Sequence, residues 1–189
     1  MGKGRIWAWS ILLVSGAAHA DKPEPPVHFE IGFNTRHFMA VEGEENAAFR
    51  GEASDPSLEA NTAVTLDLRF TRWLPRNLYF GVEGEIGKLD AFDDSNLAGA
   101  YGLFGARGDI GFAQLFVEMA AGQRKVRYGD GMDEESKLIA EPRVRMEMWV
   151  GPRVTVGGAL GTTLGGRDVW MAGVYIGVHS LEYGRKQLW

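Results

Sequence analysis

The sequence contains no cysteine, which excludes disulfide bonds and thiolate chemistry. Beyond its N-terminal segment it also lacks an apolar run of about 18 residues, the length that a transmembrane helix requires. Apolar residues at helical spacing do not recur after residue 20. Basic residues are in deficit, with 20 Lys and Arg against 25 Asp and Glu. Because nucleic-acid binding requires a basic face, this balance argues against a nucleic-acid partner.

The first twenty residues have the organisation of a secretory signal peptide. Lys3 and Arg5 form a positive start, residues 6–14 are a short apolar core, and residues 18–20 are a small-residue cleavage motif. The apolar core is too short to span a bilayer. We therefore expect residues 1–20 to be removed and residues 21–189 to form one domain. That domain has 18 basic and 25 acidic residues, because the removed segment holds two basic residues and no acid.

Alternating apolar and polar residues, the signature of a half-buried strand, recur along the rest of the chain. Eight stretches show this pattern: residues 27–34, 64–71, 78–87, 104–110, 114–121, 143–150, 154–160 and 170–179. The connections between them alternate in length, long and then short, except that the last one, residues 164–168, is short where a long one is due. An even number of antiparallel strands with short turns at one end predicts a β-barrel. Pro142 is expected to mark a bulge or the start of the sixth strand, since proline removes a ladder hydrogen bond.

Alternation alone does not say which face is the interior. A soluble lipid-binding barrel turns its apolar rows inward, whereas an outer-membrane barrel turns them into lipid. Glycines recur on the polar face, where they suit a narrow interior in which large side chains share little space. The basic residues of that face are all arginine, whose planar fork pairs well with carboxylates in a confined space. The polar face is therefore predicted to line a narrow lumen, with the two signs of charge nearly balanced.

These assignments define two sets of candidate residues. The predicted lumen charge network consists of Glu30, Arg36, Asp67, Arg69, Glu83, Glu85, Arg107, Asp109, Glu118, Arg124, Arg143, Arg145, Glu147 and His179. The predicted lipid-facing residues are Val64, Leu66, Leu68, Phe70, Phe80, Val82, Leu115, Val117, Met146, Met148, Val174 and Ile176.

With these features the chain resembles the small eight-stranded outer-membrane barrels of the OmpA/OmpX type. The resemblance implies an all-β fold, an eight-stranded antiparallel up-and-down transmembrane β-barrel preceded by a cleaved signal peptide. It also implies the outer membrane of a Gram-negative bacterium, outer-membrane lipids as partners, and a packed polar lumen. The family usually ends in an aromatic residue, and here Trp189 or Tyr183 could carry that signal. Aromatic residues near the short-turn end are predicted to form an interfacial girdle: Phe29, Trp73, Tyr79, Phe112, Trp149 and Tyr183.

Two groups of residues are candidates for chemistry. His179, Ser180 and Glu182 would suit a hydrolase, but adjacent strand residues point to opposite faces, so His179 and Ser180 are not expected to bond. Four acids between residues 130 and 135 form a weak candidate calcium loop, with a solvated acidic loop as the alternative. Those acids are Asp130, Asp133, Glu134 and Glu135. No cofactor and no catalysis are predicted.

Three classes of function remain open, and the first is favoured, because a closed lumen filled by large paired side chains argues against a pore. The first is a structural or surface-interaction barrel that meets an external ligand or surface partner through residues 40–61, 88–98 and 125–137. The second is a narrow pore. The third is a lipid-modifying barrel enzyme or a soluble lipid-binding barrel.

Overall fold

The computed structural model describes residues 27–40, 49–50, 59–60, 62–89, 96–127, 134–164 and 169–180. Within these residues eight long antiparallel strands close into one barrel, with each strand beside its sequence neighbours and the first paired with the last. The barrel strands are β1 (Val27–Ala40), β4 (Thr62–Trp73), β5 (Leu78–Leu89), β6 (Asn96–Ile110), β7 (Ala113–Arg127), β8 (Glu134–Trp149), β9 (Val154–Thr163) and β10 (Val169–His179). Between β1 and β4, the short strands β2 (Phe49–Arg50) and β3 (Glu59–Ala60) pair with each other. The predicted all-β, eight-stranded, up-and-down fold is confirmed.

The two ends of the barrel differ in their connections. At one end, here called the turn end, β4 and β5 are joined by a 3-10 turn at Pro75–Asn77, and β6 and β7 by two residues. The second of these turns uses Gly111 at φ 62°, in the left-handed region that glycine enters without steric cost. The opposite end, here called the loop end, carries the longer connections. Among the described residues no helix is long and apolar enough to cross a membrane.

Several strands are longer at the loop end than their sequence pattern indicates. β6 begins at Asn96, and residues 88–89, 125–127 and 134–137, predicted as loop, belong to strands. Pairing continues there because backbone hydrogen bonds form whatever the side chains are, whereas the apolar row ends where burial in lipid is no longer needed. The signal peptide, Asp130, Asp133, Tyr183 and Trp189 lie outside the described residues.

Pro142 lies inside β8 rather than at its start, opposite Met119 of β7. The continuous pairing of β8 with β9 runs from Arg143 to Trp149 and stops at the proline. Beyond it, Ala140 and Leu164 exchange two backbone hydrogen bonds, with N to O distances of 2.9 and 2.8 Å. The missing N–H of Pro142 thus removes one hydrogen bond from the ladder without ending the strand.

The outward face of the barrel is apolar. Ten of the twelve predicted lipid-facing residues are exposed, and the other two, Leu115 and Met148, are half-buried on the same face. Monomeric soluble proteins rarely expose a continuous apolar patch of more than a few hundred Å². An apolar belt that runs around the whole barrel therefore matches lipid as its surroundings.

Some inward glycines allow neighbouring strands to approach closely. A Cβ on Gly122 of β7 would overlap the carbonyl oxygen of Ala100 and lie 2.7 Å from the Cα of Tyr101 on β6. By contrast, a Cβ on Gly102, on the outward face of β6, would have its nearest neighbour at 3.8 Å. The sharp bend of this sheet therefore depends on glycine at Gly122 and not at Gly102.

We predict that Gly122→Ala lowers the free energy of unfolding by about 1–3 kcal/mol, the usual cost of overpacking. Gly102→Ala, the matched control, should leave stability unchanged or raise it by about 0.4–1 kcal/mol, because alanine restricts the unfolded chain. Urea unfolding of the refolded barrel, followed by tryptophan fluorescence, measures both. Equal effects of the two substitutions would contradict the close approach of β6 and β7.

A second prediction concerns the outward face. Val174 lies midway along β10 and is 66% exposed, while Val150 follows β8 at the turn end and is 62% exposed. Val174→Arg should destabilise the barrel in lipid by about 2–4 kcal/mol, and Val150→Arg by about 0–1 kcal/mol, because the cost of a charge falls toward the bilayer surface. Unfolding in phospholipid vesicles tests this, and similar costs at the two valines would refute the assignment of the lipid face.

Candidate functional site

The candidate site is the interior of the barrel, where charged side chains from five of its strands converge. Twelve charged residues in the described part of the chain are buried there, each no more than 8% exposed. The seven acids are Glu30, Asp67, Glu83, Glu85, Glu118, Glu141 and Glu147. The five bases are Arg36, Arg69, Arg124, Arg143 and Arg145.

Most of these charges form one continuous chain of ion pairs, here called the ionic network. Its links are Asp67–Arg36 (2.7 Å), Arg36–Glu85 (2.8 Å), Glu85–Arg124 (3.0 Å), Arg124–Glu141 (2.8 Å), Glu141–Arg143 (2.6 Å), Arg143–Glu83 (2.7 Å), Glu83–Arg69 (2.7 Å) and Arg69–Glu118 (2.7 Å). Each guanidinium bridges two carboxylates, which its planar fork of donors allows. Neutral donors add to it: the hydroxyl of Tyr79 donates to Glu118 at 2.6 Å, and that of Tyr101 donates to Glu85.

A smaller group lies nearer the turn end. Arg145 is 3.3 Å from Glu30 and 2.7 Å from Glu147. This group also has one more carboxylate than guanidinium. Within the described residues, seven buried carboxylates therefore meet five buried guanidiniums, an excess of two negative charges when histidine is neutral.

The sequence predicted nearly equal numbers of buried acids and bases, and three residues account for the difference from the observed charges. Arg107 is half-buried, with its guanidinium carbon 4.2 Å from the ring centre of Trp73, and Asp109 is exposed and accepts a hydrogen bond from Gln114. Both lie on the inward row of β6, but at its turn-end edge, beyond the buried charges. Glu141 was missed, although its spacing of two from Arg143 continues the inward row of β8. The other predicted network residues, His179 included, lie inside the barrel.

An aromatic layer closes the turn end of the interior. Four rings follow one another: Trp73 to His28 at 6.1 Å, His28 to His179 at 5.0 Å, and His179 to Trp149 at 4.7 Å between ring centres. The indole N–H of Trp149 donates to Gln114 at 3.2 Å. Both tryptophans, and Tyr79, were predicted in the interfacial girdle, but their odd positions in β4, β8 and β5 turn them inward. Phe29 and Phe112 lie on the outside, with Phe29 against Phe70 at 4.7 Å.

An apolar layer closes the loop end. It consists of Phe38, Leu89, Leu97, Val126, Ile139 and Met171, which are 1–7% exposed. All six occupy inward positions of their strands, so the interior row changes from charged to apolar as it approaches the loops. The alternating pattern predicted a polar inward face throughout and did not indicate this layer. The signal was available, because Phe38 lies two residues after Arg36 and Leu89 lies four after Glu85.

His179 and Ser180 are not hydrogen-bonded to each other. The Nε2 atom of His179 lies 2.7 Å from the hydroxyl of Thr155, and the hydroxyl of Ser180 accepts the backbone N–H of Phe29 at 3.0 Å. A serine–histidine nucleophile is therefore not assembled here, as the opposite faces of adjacent strand residues predict.

Comparison with known proteins places this geometry among solved barrels. Neisserial surface protein A superposes with a TM-score of 0.53 at 12% identity, over 82% of this chain and 97% of that one. The chain has the fold of the small outer-membrane β-barrels. The attachment invasion locus protein Ail of Yersinia pestis gives a TM-score of 0.46 at 11% identity, over 81% of this chain and 97% of Ail. A designed transmembrane β-barrel gives 0.47 at 9% identity, over 84% and 99%. No family model and no curated protein matches the sequence.

The excess of negative charge inside the barrel predicts that losing an arginine costs more stability than neutralising a carboxylate. Arg143→Met raises the excess of negative charge and takes one guanidinium partner from each of Glu83 and Glu141, so it should cost about 3–5 kcal/mol of unfolding free energy. Glu83→Gln keeps the shape and lowers the excess, so it should cost clearly less. Urea unfolding measures both, with Arg153→Met at the exposed turn as a control near zero. A larger loss for Glu83→Gln than for Arg143→Met would contradict the excess of negative charge.

Proposed function

We propose that this protein is an integral outer-membrane barrel with a closed interior, and that it acts without catalysis through the segments at its loop end. The observation that carries the proposal is the combination of an apolar outer belt with an interior filled by paired charges. A barrel buried on its outside by lipid and on its inside by its own side chains leaves only its ends free to meet other molecules.

The filled interior argues for a closed barrel and against a pore. A solute crossing it would have to pass the apolar layer, the ionic network and the aromatic layer in turn. Space among the charged side chains is small: the cavity lined by Glu30, Asp67 and Arg69 measures about 20 Å³. That volume accommodates roughly one water molecule. Opening a path would separate buried ion pairs, which is costly.

A structural or surface-interaction role fits the chemistry at the loop end better than an enzymatic role. The side chains that could supply acid, base or nucleophile inside the barrel are engaged with one another. The connection of residues 40–61 carries six acids and one arginine, so an external partner would meet a mainly acidic surface there. We therefore place the interacting segments in residues 40–61, 88–98 and 125–137. Export to the outer membrane through the signal peptide of residues 1–20 belongs to the same proposal.

Electrophoresis of isolated outer membranes tests the location. The protein should remain with this fraction after a high-salt wash, and unboiled samples should migrate differently from boiled ones, because a folded barrel resists dodecyl sulfate. Recovery as a soluble periplasmic monomer would reject the membrane barrel and support the soluble lipid-binding alternative.

Conductance in a planar bilayer tests the closed interior. We expect the folded protein to show no steady conductance under conditions in which a purified open porin, the positive control, gives regular steps. The reason is the three closed layers of the interior. Stable, ion-selective single-channel steps would make the protein a narrow pore instead.

A further inference from the structure

Two histidines meet inside the barrel at the seam where its first and last strands pair. His28 lies on β1 and His179 on β10, and in the register of these strands His179 is opposite Glu30. The two imidazole rings are nearly parallel, with an interplanar angle of 6°. The Nε2 atom of His28 and the Nδ1 atom of His179 are 2.9 Å apart. The two strands are thus joined by side chains as well as by backbone hydrogen bonds.

The remaining nitrogen of each ring faces a threonine hydroxyl. The Nε2 of His179 is 2.7 Å from the hydroxyl of Thr155, and the Nδ1 of His28 is 3.4 Å from that of Thr71. When these hydroxyls accept the ring N–H groups, the facing nitrogens of both histidines carry lone pairs directed at each other. Such an arrangement requires a positive charge between them. It is also the arrangement that orients histidine ligands in metal sites, where the second ring nitrogen is held by a hydrogen bond.

Glu30 supplies a third ligand atom. One of its carboxylate oxygens and one nitrogen from each histidine all lie within 4.8 Å of one another. The three side chains are buried, and the neighbouring carboxylate of Glu147 has an oxygen 4.0 Å from His179. Arg145 is shared between Glu30 and Glu147, so this end of the interior is short of positive charge. A bound cation would offset the one negative charge by which Glu30 and Glu147 exceed Arg145.

We propose that His28, His179 and Glu30 bind a divalent transition metal ion, with Zn²⁺ as the best fit. Zn²⁺ takes imidazole nitrogen and carboxylate oxygen at roughly 2.0–2.2 Å in tetrahedral geometry, which sets two nitrogen ligands about 3.3 Å apart. To reach this geometry the two nitrogens need to move apart by only a few tenths of an ångström, and the nearly parallel rings need to tilt so that both lone pairs point at the ion. Ca²⁺ and Mg²⁺ prefer sites made of oxygen ligands alone and should bind poorly. A water molecule would complete the tetrahedron.

The position of the site gives the metal a structural role. Its ligands come from β1 and β10, so the bound ion would fasten the closing seam of the barrel and link positions 151 residues apart in the chain. Because the site exists only in the closed barrel, binding would stabilise the folded state by mass action. The ion would enter from the turn end, past Trp73 and Trp149, whose rings flank the two histidines.

The test uses the full mature chain, folded in detergent, extracted of metal and carrying no polyhistidine tag. Zn²⁺ binding is measured by calorimetry and by the temperature of barrel unfolding, with Mg²⁺ in parallel. Co²⁺ serves as a spectroscopic probe, since tetrahedral coordination gives visible absorption bands. The variants are His28→Gln and His179→Gln. The matched control is His37→Gln on the same strand as His28, where the imidazole is exposed and contacts Thr62.

We expect one Zn²⁺ per chain, a higher unfolding temperature with Zn²⁺ than with Mg²⁺, and Co²⁺ bands that Zn²⁺ abolishes. Each of the two seam variants should weaken Zn²⁺ binding at least tenfold, while His37→Gln should bind as the original chain does. Heat-dependent gel migration verifies that each variant folds. If a variant does not fold, the Co²⁺ spectrum of the original chain still tests the proposal. No binding by the original chain, or equal loss in His37→Gln, would overturn the proposal and leave a proton shared by the two histidines.

Discussion

The pairing of guanidinium with carboxylate inside the barrel is the interaction on which the rest of the structure depends. In a barrel of eight strands the interior is only wide enough for side chains, so these charges cannot be solvated by bulk water. Each arginine therefore bridges two carboxylates, and the chain of pairs from Asp67 to Glu118 joins strands that share no backbone hydrogen bond. Removing one member leaves an uncompensated buried charge, which costs far more than the intact pair contributes. The network thus favours one register and one closure of the barrel.

Glycine provides the space that this network needs. A Cβ on Gly99 would lie 2.7 Å from a carboxylate oxygen of Glu85, and one on Gly173 would lie 3.2 Å from the Cγ of Arg36. A Cβ on Gly105 would lie 2.7 Å from the ring of Tyr79. The inward glycines are thus the counterpart of the large inward side chains on neighbouring strands. This explains why glycine and arginine share the polar face of the sequence.

The interior is layered along the barrel axis, and each layer has a different physical basis. Apolar side chains exclude water at the loop end, paired charges fill the middle, and stacked rings close the turn end. The layers also divide the functional possibilities. The middle and the loop end stabilise a closed barrel, whereas the turn end holds a histidine pair whose geometry and local charge suit a cation. The segments beyond the loop end are the ones that we propose as the surface for other molecules.

The sequence by itself determined the fold, because a repeat of two fixes the two faces of every strand wherever one face is apolar and the other charged. It also identified most of the buried charges, since Glu83, Glu85, Arg143 and Arg145 alternate with residues of the lipid face. It could not show where a strand leaves the lipid, because backbone pairing continues when the side-chain pattern fades, and β6 and β8 therefore begin earlier than the pattern indicates. Only the tertiary structure decided which inward residues are enclosed. Arg107 and Glu141 have the same phase in sequence, yet Arg107 lies against Trp73 at the turn end and Glu141 lies within the ionic network. Only the closure of β1 on β10 brought His28 to His179, because no local spacing relates two residues that are 151 positions apart.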